Sequence, residues 1–185
     1  MNPFFESGLL FEFSETAWSN LLEFDKTKDF QNAKDALRGT KGVDFTGILN
    51  NETLVFMEVK NFRGYRIENK PRLENGDDPI WLEAAQKMRD SVAVVMGSAR
   101  NSTHLKLDWQ RYTEFLSNEK NAIHFVLWVE QDMPPQKFKA NRKWDRHEVD
   151  NRRDLKRCLG WLTKKVDIAC IEDNPFPAAL TVTYQ

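Results

Sequence analysis

At 185 residues, the chain is long enough for one continuous hydrophobic core and short of the length at which chains usually divide, so a single domain is expected. With 41% hydrophobic and 30% charged residues it is too apolar for a disordered segment and too polar for an integral membrane protein, and no stretch nears the ~18 apolar residues of a span. The net charge of -1 hides an asymmetry: Lys137 to Lys165 holds eleven Lys or Arg against four Asp or Glu, about +7, which leaves about -8 elsewhere.

The N-terminus, MNPFFESGLLFEF, has no basic flank before its apolar residues, so a cytoplasmic protein with no membrane partner is expected. Ser14 with Glu15 behind it reads as a helix start, and Trp18, Leu21 and Leu22 predict a helix over 14–24. A second helix over 29–37 is closed by Gly39 and Gly42. Strands over 43–49 and 54–60 follow, separated by Asn50, Asn51 and Glu52 as a hairpin. Residues 61–79 read as a long polar loop.

Residues 80–96 carry a helical stripe through Leu82, Ala85, Met88, Val92 and Val95, ended by Gly97, although 91–96 also suits a strand. A short helix over 109–116 leads to the apolar run 122–130, the pattern of a central strand buried on both faces. A basic loop with Pro134 and Pro135, a helix from about 145 or 151 to 162, and strands over 167–171 and 180–184 complete the order. This is an α/β (α+β) arrangement: a mixed sheet flanked by helices. Cys158 and Cys170 lack the close pairing of a zinc site and read as core thiols.

The hairpin carries the chemistry. Burial alone registers it, with Val43, Phe45, Leu49, Val55, Met57 and Val59 on one face and Asp44, Thr46, Ile48, Phe56, Glu58 and Lys60 on the other. A three-residue turn sets Asp44 across from Glu58, whereas a two-residue turn puts them on opposite faces. Two facing carboxylates suit a hard divalent cation such as Mg²⁺ or Mn²⁺, and Lys60 on the same face can orient water or stabilise charge on a phosphate.

GVDFTGIL followed by LVFMEVK resembles the core of the PD-(D/E)XK (restriction-endonuclease-like) nucleases, over about residues 14–96. That resemblance implies a helix, a three-stranded meander, a second helix and a further strand around a Mg²⁺- or Mn²⁺-dependent site that hydrolyses nucleic-acid phosphodiesters. It implies Asp44 and Glu58 as metal ligands, the Val59 carbonyl as a backbone ligand and Lys60 as the catalytic lysine. Val43 stands where the family has proline, and the strand expected before Asp44 is not evident. The family often draws a further acid from its first helix, for which Glu15 ranks ahead of Glu12. It also places a polar residue of the second helix at the site, for which Gln86 ranks ahead of Lys87.

A bare acid and E-x-K pattern is more often a solvated strand face; the apolar strands and burial-set register favour the site here. For substrate, Arg63, Arg66 and Lys70 follow the E-x-K element, and Lys139, Arg142, Lys143, Arg152 and Arg153 lie in the basic segment. A solvated helix face paired with Asp145, Glu148, Asp150 and Asp154 explains the basic segment equally well. The expected function is a deoxyribonuclease, DNA before RNA, in defence against foreign DNA, mobile-element processing or repair, with specificity drawn from a homodimer or partner protein. Two rival readings are a non-catalytic nucleic-acid-binding or assembly subunit, and a small phosphate-ester hydrolase, which the absence of a GxxxxGK loop disfavours.

Overall fold

A computed structural model describes residues 3–65, 68, 70–73, 78–132 and 142–185, with main chain only at 70, 71 and 142–148. The elements are β1 (Pro3–Glu6), β2 (Leu9–Phe13), β3 (Trp18–Glu23), a 3-10 turn (Phe24–Lys26), α1 (Lys28–Ala36), β4 (Phe45–Leu49) and β5 (Thr53–Asn61). Then come α2 (Lys70–Leu73), α3 (Ile80–Asn101), α4 (Lys106–Ser117), β6 (Ala122–Glu130), α5 (Arg142–Leu159), β7 (Lys165–Ala169) and β8 (Leu180–Tyr184).

The larger sheet has order β3-β4-β5-β6-β7, antiparallel through the β3-β4-β5 meander and parallel from β5 through β6 to β7. One face packs on the helices, where Ile48, Leu54, Phe56, Phe125 and Leu127 meet Met88, Val95, Trp109 and Leu155. The other face is covered by a second sheet, of order β1-β2-β8, instead of by helices. There Phe45, Val55, Met57 and Trp128 pack on Leu9, Phe11, Phe13, Leu180 and Val182. Among the described residues, this mixed α/β architecture therefore has helices on one side of its main sheet only. Val43 also departs from expectation: it precedes β4 and packs with the helix-side core.

The segment expected as the first helix is β3. Its ladder with β4 shifts by one residue between Ser19 and Leu22, and Asn20 has φ 50. That bulge breaks the two-residue alternation, so Trp18 and Leu21, three residues apart, both pack toward the small-sheet core while Leu22 packs toward the helix-side core. Trp18, Leu21 and Leu22 thus imitate helical spacing in an irregular strand, and the strand missing before Asp44 is this one. The helix that does form nearby, α1, starts where Thr27 Oγ1 accepts the Phe30 N–H at 3.3 Å. It is inserted between β3 and β4.

The turn after β4 has the expected length. Asn50 and Asn51 adopt φ 50 and 55, the left-handed region asparagine tolerates, and Leu49 pairs with Thr53. α3 runs through Gly97 to Asn101 as one helix, without the strand considered for its tail. β6 lies between β5 and β7 and is buried from His124 to Glu130, as its apolar run predicted. Cys158 and Cys170 are free and only partly buried. No helix among the described residues is long and apolar enough to cross a membrane.

Candidate active site

The β4–β5 register, Phe45 opposite Met57 and Thr46 opposite Phe56, continues to Asp44 opposite Glu58. Here the ladder ends irregularly: the Asp44 N–H donates to the Met57 carbonyl at 3.1 Å, and Asp44 Oδ2 accepts the Val59 N–H at 2.6 Å. The N–H and C=O of one strand residue point the same way, so the Val59 carbonyl is aimed to the Asp44 side. Asp44 is 6% exposed and Glu58 0%, on the face that packs against α3. A solvated strand face is thereby excluded.

Two ammonium groups close over these acids. Glu58 Oε1 lies 2.9 Å from Lys60 Nζ and 2.7 Å from Lys87 Nζ, and Lys87 Nζ is 3.8 Å from Asp44 Oδ1. Lys60 also donates to Glu83 at 3.2 Å, and Glu83 is held in turn by Arg72. Oε1 of Glu58 therefore takes both ammonium groups at charge-assisted distance, whereas Oε2 is buried with no partner among the described residues.

The electrostatics follow from burial. Burial, then Glu58, raises the Asp44 carboxyl to about 7, against the opposing pull of Lys87 and the Val59 N–H. Burial works against the Lys60 ammonium, but Glu58 and then Glu83 outweigh it and hold the pKa above the ordinary lysine value. For Glu83, burial raises the carboxyl while Lys60, Arg72 and Lys87 bring it below the usual range. Asp25, in the 3-10 turn, is raised by burial, then by Asp44 and Glu6, and its Oδ1 is buried without a hydrogen bond.

The structure brings Asp44, Glu58, Val59 and Lys60 together as the hairpin predicted. Glu15 does not join them: it lies exposed in the turn before β3 and has no helix to carry it inward. After burial, Glu58 and Glu6 raise Asp44 and Asp44 raises Asp25, so Asp25 is one acid near the site that the helix reading did not offer. It was missed because the segment read as helix placed it beyond the helix end. Gln86 also gives way to its neighbour, because Gln86 Oε1 accepts from Lys41 Nζ at 3.3 Å while Lys87 reaches both acids. Glu83 and Lys87, four residues apart on one helix face, formed the signal that could have found this pair.

Among the substrate candidates, Arg63 lies over the Tyr184 ring at 3.7 Å. Arg152 donates to the Ile168 carbonyl of β7 at 3.1 Å, so it is tied into the fold, and Arg153 pairs with Asp150 and Asp154. Arg66 and Lys139, and the side chains of Lys70, Arg142 and Lys143, lie outside the described residues.

The donor set is oxygen-only. Among the described residues no three His, Cys, Asp or Glu side chains form a cage, so the fit is to a hard cation that keeps water ligands rather than to zinc. Asp44, Glu58 and the Val59 carbonyl suit such an ion, with the unpartnered Glu58 Oε2 as the feature that a cation would satisfy. No protein-family model, curated protein or solved structure matches the chain significantly.

Proposed function

We propose that the chain is a divalent-metal-dependent nuclease of PD-(D/E)XK type that hydrolyses nucleic-acid phosphodiesters, with DNA as the preferred substrate. The observation that carries this reading is a buried Asp44–Glu58 pair with Lys60 and Lys87 against one Glu58 oxygen and the other oxygen buried without a partner among the described residues. The meander β3-β4-β5, followed by α3 and the parallel strand β6, supports the same reading; the missing leading helix and the β1-β2-β8 cover are departures from the family's core.

Asp44, Glu58 and the Val59 carbonyl would hold Mg²⁺ or Mn²⁺, which supplies a water of lowered pKa and polarises a phosphoryl oxygen. The chain's own groups do the rest. Lys60 stays an ammonium, because Glu58 and Glu83 hold its proton, so it donates to the water or the developing phosphate charge instead of acting as a base. Glu83, itself held by Arg72, fixes Lys60 in position. Lys87 provides a second cation for a substrate phosphate.

The test is digestion of supercoiled, linear and single-stranded DNA, and of RNA, with Mg²⁺, Mn²⁺ or EDTA, beside Asp44→Ala and Lys60→Ala. Metal-dependent cleavage lost in both variants is the expected result; cleavage that survives them refutes the assignment. One observation favours a second reading, a non-catalytic subunit that binds nucleic acid: Lys60 and Lys87 already neutralise the acids without a metal. No cleavage, with calorimetry showing no metal binding, would establish it.

A further inference from the structure

A cavity of about 590 Å³ opens between α1 and α3, outside the carboxylate site. Its floor is apolar, from Ala33, Ala93, Val94 and the Gly97 backbone, and its rim carries Asn32, Asn101 and Arg38. The two carboxylates in its wall are already occupied. Asp29 Oδ2 accepts from Ser102 and Trp109, while Asp90 accepts from the Lys41 N–H and Arg89. The side chains of Asn32, Asn101 and Arg38 are instead exposed and make no hydrogen bond to the described residues.

The cavity is in line with the site. Glu83, Lys87, Asp90, Val94, Gly97 and Asn101 recur at alternating steps of four and three residues, so they form one stripe of α3. At 1.5 Å per residue, Gly97 lies about 15 Å along the helix from Lys87, a few nucleotides along a strand. Gly97 adds an independent point. It sits inside a helix, where glycine is unfavourable, and a Cβ there would meet nothing within 4 Å. No packing demand explains it, and the space above it is the cavity.

An apolar floor, two free amides and a guanidinium at the rim match a nucleobase: a flat apolar face, donor and acceptor edges, and a phosphate beside it. We propose that the α1–α3 cavity is a nucleobase subsite that takes one base of the substrate strand, either unpaired or drawn out of the stack. This rests on the nuclease reading for its biological use, but mononucleotide binding tests it separately.

The experiment is an NMR titration of the metal-free protein with dAMP and dCMP, following the side-chain amides of Asn32 and Asn101. The wild type should show saturable shifts at both, Asn101→Ala should weaken binding about tenfold, and Gly97→Leu, which fills the floor, should abolish it. Should Gly97→Leu not fold, Asn32→Ala and Asn101→Ala at exposed positions carry the test. Silent amides in the wild type, or shifts undiminished by the variants, overturn the proposal. Cleavage assays on the same samples separate the two readings: DNA cut with silent amides removes the subsite and keeps the nuclease. Amide shifts without metal-dependent cleavage keep the nucleotide pocket and remove the nuclease.

Discussion

Replacing Asp44 by Asn should stabilise the metal-free protein. The Asp44 carboxyl is raised from 3.8 to about 7 in the fold, so between those values the folded state binds more protons than the unfolded chain. Stability falls as pH rises through that window and levels off above it. At 1.36 kcal/mol per factor of ten, the ionised carboxylate costs the folded state about 4 kcal/mol above pH 7. Asn removes that cost and keeps an oxygen for the Val59 N–H, but it loses the attraction of Lys87 and buries an amide. Allowing half for those losses leaves about 2 kcal/mol, or a Tm higher by about 4–8 °C at pH 8 in EDTA and near parity at pH 4. Thermal melts across pH read this directly. Excess Mg²⁺ should narrow or reverse the gap, because only the wild type gains by ligation. A variant less stable than wild type at pH 8, or a difference independent of pH, refutes the reasoning.

Lys60→Ala should lower DNA cleavage by roughly 10²–10³, as expected for loss of an electrostatic stabiliser, and destabilise the protein by about 1–3 kcal/mol by leaving Glu58 to Lys87 alone; single-turnover rates and melts check both. Glu15→Ala should leave Mg²⁺ affinity unchanged in calorimetry, whereas Asp25→Asn should change it, because Asp25 is coupled to Asp44 and Glu15 is exposed in its turn. Gly42→Ala should cost about 1–3 kcal/mol in a denaturant melt, since its Cβ would stand 2.6 Å from the Phe30 ring two residues before Asp44.

The parts of the fold legible in the sequence are those whose patterns are regular. The Val43–Lys60 hairpin could be registered because alternation and an Asn-Asn turn agree, and β6 because nine residues carry an apolar run between polar flanks. The β3 strand was not legible, because a bulge at Asn20 turns period two into apparent period three to four. The cover sheet was missed for another reason: β1 and β2 occupy residues whose alternation, buried and half-buried in turn along β2, is completed by β8 at the far end of the chain. Local sequence does not announce a partner that distant. The same limit governs the site. The hairpin acids could be placed from one segment, and Glu83 and Lys87 share a helix face that the sequence shows, but which residue of that helix reaches the acids, and that Asp25 lies near them, depends on packing of α3 and the 3-10 turn.

The least exposed acid also bears on which reading of the site holds. A buried ion pair seldom adds stability over apolar residues of the same size, so Glu58 with two lysines is a poor device for holding sheet to helix. A network retained for structure would satisfy the lone pairs of its most buried member, because an unclaimed buried oxygen costs the most there. Among the described residues this holds for one buried glutamate and only in part for the other. Glu130 accepts from Trp128, Ile171 and Tyr184 through both oxygens, and is an example of a carboxylate built into the structure. Glu58, more deeply buried, has Lys60 and Lys87 against Oε1 and nothing against Oε2. The fold therefore can satisfy both oxygens of a buried glutamate. Leaving one oxygen of the other open, in a pair with Asp44, is the argument for a metal site over a structural ion-pair network.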